Sequence, residues 1–203
     1  MSTKSKAKSK PDSEQSPAKR LITAEDLLEL RIVSDPRISP DGRVILFTLK
    51  QAGEKPCEYA TNLGLVEVAG GATRQFTAGG KDRHGRWSPD GEWIAFIAER
   101  QKHRPQIHLM PAAGGEALVL TRFPEGSLRE FKWSPDGRSL AVAFRATDPE
   151  WTDEAKKKRD EAGHSIPPRV VEEMYYRFDG DGYFNGDRYY LYLVDATSGT
   201  ARM

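Results

Sequence analysis

Ser-Pro-Asp-Gly occurs three times in the chain, at residues 39–42, 88–91 and 134–137, so the serines are 49 and 46 residues apart. A fixed period of this length is the mark of one supersecondary unit stacked repeatedly on its neighbours. The tetrapeptide suits a type I turn: Ser at the first position, Pro pre-setting the second, Asp tolerated at the third and Gly at the fourth. Behind each copy runs a stretch of β-branched, aromatic and aliphatic residues, at 44–49, 93–98 and 140–144, which predicts a strand. In the second and third copies the segment ahead of the turn ends in Trp87 and Trp133, as a strand feeding the turn would. Each copy therefore predicts a hairpin.

The unit extends past its hairpin. "LGLVEVAGGATRQFT", "QIHLMPAAGGEALVLT" and "YYLYLVDATSGTARM" each predict a strand, a Gly-containing turn and a second short strand. Four short antiparallel strands per repeat is the composition of a propeller blade. The expected fold class is all-β: a partial β-propeller of about two and a half to three blades, starting near 39, 88 and 134. A short N-terminal helix precedes it, and a partly helical insertion at 146–187 interrupts the third blade. Thr23 with Asp26 three residues on marks the helix start in the manner of a capping box, and Leu27, Leu28 and Leu30 give it an apolar side. Pro36 ends the helical option. Closure takes four to eight blades, and an open array exposes strand edges that template further pairing. Residues 21–203 are thus expected to be an incomplete N-terminal propeller, its missing blades being its partners, with Arg31 to Ile38 supplying the outer strand of the final blade of the ring.

Charge and composition narrow the functions. Residues 1–20 carry six Lys or Arg against two acids, leaving 25 basic and 28 acidic side chains in the rest. The tail has almost nothing to bury and is expected to be a disordered, solubilising leader. No stretch approaches the roughly 18–20 continuous apolar residues of a bilayer helix, and the N-terminus has no apolar core of a secretory signal. A cytoplasmic location and no membrane partner are expected, and the single cysteine, Cys57, agrees, having no partner in the chain for a disulfide.

The stretches "LITAEDLLELRIVSDPRISPDGRVILF", "WSPDGEWIAFIAER", "WSPDGRSLAVAFR" and "EEMYYRFDGDGYFNGDRYYLYLVD" resemble the N-terminal β-propeller of acylaminoacyl-peptidase-like members of the prolyl oligopeptidase family. The resemblance runs from about residue 21 to the end. It implies a serine peptidase in which the propeller restricts access to an α/β-hydrolase domain and substrates are peptides or acylated peptides. The hydrolase nucleophile belongs in Gly-x-Ser-x-Gly, and no serine here is so flanked. His84, His103, His108 and His164 have no place in a Ser-Asp-His order. The catalytic domain is therefore expected to be absent, and the chain inactive alone. The alternative is a stand-alone binding or scaffold propeller of the Tol-associated type, whose members share the same turn.

The insertion holds the remaining candidates. Asp153 with Lys157 and Glu154 with Lys158 have the spacing that supports an exposed helix, and acids flank Lys156 to Arg159, so a solvated face is expected there rather than a nucleic-acid patch. Eight of the 19 aromatics fall between Tyr175 and Tyr192, but residues 172–192 carry five acids against two arginines, the wrong sign for a phosphate backbone. No nucleic-acid partner is expected. Asp179, Asp181 and Asp187 lie in a Gly-rich loop, but Tyr183 and Phe184 stand where the calcium-loop pattern needs Asp or Asn and then Gly. No metal and no cofactor is expected. By resemblance to the related dipeptidyl peptidases, where an acidic pair holds a substrate's amino terminus, Glu172 and Glu173 are substrate-contact candidates. Arg177 is a candidate anchor for a carboxylate or carbonyl.

Overall fold

The computed structural model describes residues 20–53, 58–102, 104–171, 174–179, 182–183 and 188–203. Three four-stranded antiparallel sheets follow one another along the chain. The first is β1 (Arg31–Ile38), β2 (Val44–Ala52), β3 (Tyr59–Glu67) and β4 (Arg74–Gln75). The second is β5 (Asp82–Trp87), β6 (Trp93–Gln101), β7 (Arg104–Pro111) and β8 (Leu118–Val119). In the third, β9 (Gly126–Trp133) and β10 (Ser139–Ala146) are followed by a 3-10 turn (Pro149–Trp151), helix α2 (Asp153–Ala162) and the small ladder β11 (Arg177–Phe178) and β12 (Gly182–Tyr183). β13 (Tyr190–Asp195) and β14 (Ala201–Arg202) then complete the sheet.

The predicted hairpins thus join the first and second strands of each blade. Each sheet begins one strand upstream of its Ser-Pro-Asp-Gly, at Arg31, Asp82 and Gly126, so the expected starts near 39, 88 and 134 mark the first turn and not the blade boundary. Arg31–Ile38 is likewise not the outer strand of a distant blade. It pairs antiparallel with β2, Arg31 opposite Gln51 and Ile38 opposite Ile45, because the hairpin closes locally through the turn at Ser39. Pro36 and an irregularity between Ser34 and Arg37, where Asp35 takes φ 51°, break the strand's pattern in the sequence.

All three turns have the same internal bonding. The serine hydroxyl donates to the aspartate Oδ1 at 2.5, 2.5 and 2.6 Å and accepts the backbone N–H five residues on, from Val44, Trp93 and Ser139, at 2.9–3.0 Å. The aspartate in turn accepts the N–H of Arg43, Glu92 or Arg138. Gly42, Gly91 and Gly137 all have φ of 70–77°, a conformation that costs glycine nothing. Neighbouring turns also touch: Pro40 Cδ is 3.5 Å from the Cβ position of Gly91, and Pro89 Cδ 3.6 Å from that of Gly137. A second contact repeats beside it. The indole N–H of Trp87 donates to Arg37 O at 3.1 Å and that of Trp133 to Arg86 O at 3.3 Å, each reaching back one blade.

The core lies between the sheets. Leu46, Leu63 and Leu65 of the first blade meet Ile94, Phe96, Ala98 and Met110 of the second, while Ala95, Ile97 and Ile107 on its other side meet Leu128, Phe131, Leu140, Val142, Phe144 and Val194 of the third. β6 is buried on both faces, which explains its unbroken apolar run, whereas β10 buries alternate residues. Fully burying a side chain such as Phe96 or Phe131 contributes roughly 1.5–3 kcal/mol. Between the first two blades Asp82 is fully buried, its Oδ2 accepting Gly79 N–H at 3.0 Å and its Oδ1 2.8 Å from Arg100 Nη1.

Helix α1 (Asp26–Glu29) forms with half of the expected capping box: Asp26 accepts the Thr23 backbone N–H at 2.8 Å. Its apolar side finds little cover, with Leu27 and Leu28 62% and 69% exposed.

Candidate functional site

The serines, histidines and aspartates best placed for chemistry by type are engaged structurally. Asp41, Asp90 and Asp136 are all held below the usual carboxylate range, first by the hydrogen bond from their own serine and then by the backbone N–H of Arg43, Glu92 and Arg138 respectively. A carboxylate stabilised in this way is a poor base. His108 stacks on Phe96 at 5.7 Å, and burial pushes its pKa down. None of these bonds joins a serine to a histidine.

Along the first strands of the blades runs a charged cluster. Asp35 of β1 accepts Arg37 at 3.0 Å and, across the blade boundary, Arg86 of β5 at 2.6 Å. Arg86 lies 3.0 Å from His84 Nδ1, and His84 Nε2 lies 3.4 Å from Phe131 O and 3.5 Å from Phe131 N in β9. His84 takes φ 56°, close to the 51° of Asp35 at the equivalent point of β1. Burial and then the Arg86 guanidinium lower its pKa, so the neutral ring is favoured. The cluster ties three blades together at their bulges.

The insertion builds a second place. α2 opens on Thr152, whose hydroxyl accepts Ala155 N–H, and the buried Glu125 accepts Asp153 N–H with both oxygens at 3.1 and 3.2 Å. Glu125 thus docks the helix N-terminus on the third blade, where a negative charge is favoured. The expected pair of Glu154 with Lys158 forms at 2.7 Å, and Lys157 also lies 3.8 Å from Glu161. Beside this joint is a cavity of about 380 Å³ lined by Glu125, Ser127, Arg145, Trp151, Arg169 and Tyr183 among others. The Arg169 guanidinium carbon lies 3.8 Å from the Trp151 ring centre and 4.4 Å from that of Tyr183. Gly126 lets β9 start close against β10, since a Cβ there would fall 2.3 Å from Arg145 O.

Arg177, in β11, is exposed and lies 5.3 Å over the same Tyr183 ring, adjoining the cavity. Glu172 and Glu173 lie outside the described residues, as do Cys57, His103, Asp181, Phe184 and Asp187. Among the described residues no group of three His, Cys, Asp or Glu is placed to hold a metal ion, and no helix is long and apolar enough to cross a membrane. Sequence reasoning missed Glu125, Arg145, Trp151 and Arg169. Glu125 caps a helix 28 residues downstream, which no local pattern announces; Trp151 just ahead of a capped helix was the one available signal.

Comparison with known proteins follows the same architecture. The sequence model of the TolB beta propeller domain matches residues 29–162. An uncharacterized peptidase of Bacillus subtilis, YuxL, is 35% identical over 182 residues, 89% of this chain and 27% of that protein. Among solved structures, the acylaminoacyl peptidase of Pyrococcus horikoshii superposes with a TM-score of 0.67 at 18% identity, covering 88% of this chain and 25% of that one. TolB from Acinetobacter baumannii gives 0.52 at 17% identity, over 82% and 31%. The chain spans about a quarter of the length of the two peptidases.

Proposed function

We propose, from the premise that the chain belongs to the TolB β-propeller family and forms the propeller portion of an acylaminoacyl-peptidase-like protein, that it gates substrate access to a serine peptidase of the prolyl oligopeptidase family. The observation that carries this is the three-blade array, whose sequence is 35% identical to a peptidase over 89% of its length. The propeller is itself non-catalytic: it selects peptides or acylated peptides by size and positions their ends, with a hydrolase domain and further blades as partners. Arg177 supports the positioning role, being exposed and held against Tyr183 at the cavity rim. Glu172 and Glu173, the neighbouring acidic pair, are proposed to meet a substrate amino group. A cytoplasmic location goes with this reading, supported by a sequence whose single cysteine forms no disulfide within it.

The second reading, a stand-alone scaffold propeller, is favoured by the TolB family match and the likeness to TolB itself. Reading the coding sequence downstream of Met203 separates the two. A Gly-x-Ser-x-Gly several hundred residues on, between a predicted strand and helix, supports the peptidase; further blades followed directly by a stop codon support the scaffold.

A further inference from the structure

We propose that the open face of the third blade docks the first blade of a second copy of this chain, so that two copies of three blades close a six-bladed ring. The two junctions already present within the chain carry onto that face without a break. Counted from their turns, Thr48, Ile97 and Ala143 hold the same place in the second strands, and they pair with Leu63, Ile107 and Leu191. Two residues nearer the turn, Leu46, Ala95 and Ala141 pair in the same way with Leu65, Leu109 and Leu193. Leu63 is 1% and Ile107 0% exposed, each covered by the following blade, whereas Leu191 is 68% exposed. The third blade therefore carries the docking surface of the other two, uncovered.

A copy's first blade offers what this surface receives at the other junctions. On the side of its sheet away from the second blade, half-buried Ile45, Leu49 and Val66 stand at the places where Ile94, Ala98 and Met110 of the second blade meet the first. Pro40 and Pro89 each touch the glycine of the next turn; exposed Pro135 and Gly42, with nothing within 4 Å of its Cβ position, are the matching pair left open. Charge matches as well. Asp35, four residues before Ser39, accepts Arg86, two before Ser88. At the new junction those two places belong to exposed Glu130 of the third blade and exposed Arg37 of the copy, which also bonds its own Asp35. The indole bond alone has no counterpart, because Ile38 stands where Trp87 and Trp133 do. Six blades lie within the four to eight of a closed ring, and closure covers both open faces of each copy.

Sedimentation velocity of the 203-residue chain over a concentration series tests this. The expected result is a monomer–dimer equilibrium that stops at the dimer, because a head-to-tail contact that closes makes a ring and one that does not makes a filament. Leu191→Glu sets a charge in the docked face and is expected to weaken dimerisation roughly tenfold or more. Ile38→Trp supplies the missing indole N–H to the carbonyl of Lys132 and is expected to tighten it about fivefold, the worth of one hydrogen bond. Ile38→Phe, an aromatic ring without the N–H, is the control for added apolar surface. Melting curves at low concentration check that the variants fold. A chain that is monomeric throughout leaves the face to a further blade of the same protein and overturns the proposal. So does growth past the dimer, a folded Leu191→Glu that dimerises as the parent does, or an Ile38→Trp no tighter than Ile38→Phe. The proposal does not rest on the peptidase reading, which stands after any of these results and fails only on the downstream coding sequence or on activity.

Discussion

The hydroxyls of Ser39, Ser88 and Ser134 each bond both to an aspartate and to the strand that follows, so the motif repeats for its turn and not for its acid. Ser88 is 2% exposed, and Ser88→Ala leaves the Trp93 N–H and the Asp90 carboxylate without it. A loss of about 1–2 kcal/mol is expected, read as a lower urea midpoint at unchanged slope. His84 and His108 set a pH dependence. Both have folded pKa values lowered chiefly by burial, so their contribution is complete above the unfolded value of about 6.5 and is lost as pH falls through the folded one. The chain is expected to lose stability from pH 7 to pH 5. His84→Asn, which tolerates the positive φ, combined with His108→Gln should flatten that slope in melting temperature against pH.

Between blades, the indole bonds of Trp87 and Trp133 to the preceding strand's carbonyls repeat with the period of the motif. Trp87→Phe and Trp133→Phe keep the ring and remove the N–H, so each is expected to cost about 1 kcal/mol in denaturant titration. Ile38→Phe, at the first blade's equivalent position, removes no such bond, and any cost there comes from shape alone. Much of this level was legible beforehand. The 46–49 residue period, the alternating runs after each turn and the Gly-containing outer turns name the four-stranded unit from the sequence alone. β1 was misread because Pro36 and an αL Asp35 break the strand's pattern, and a bulge carries no periodic signal. The cavity was illegible for a different reason. Glu125, Arg145, Trp151 and Arg169 are brought together by a helix cap and by ring stacking, both of which depend on how the insertion folds back on β9 and β10.

For the whole molecule, three sheets packed face to face leave two apolar clusters closed and the outer faces of the first and third blades open. On the third, Leu191 and Leu193 are 68% and 37% exposed, facing away from the core that Tyr192 and Val194 join. A propeller of four to eight blades covers such a face with the next sheet. The central claim is that this unit admits and positions peptides while another part of the protein cleaves them. Treating the purified 203-residue chain with a fluorophosphonate probe, alongside an assay on acyl-peptide and dipeptide chromogenic substrates, tests it most directly. The account predicts no probe labelling and no turnover by the chain; covalent labelling of one of its serines, together with hydrolysis that a serine-directed inhibitor abolishes, would contradict it.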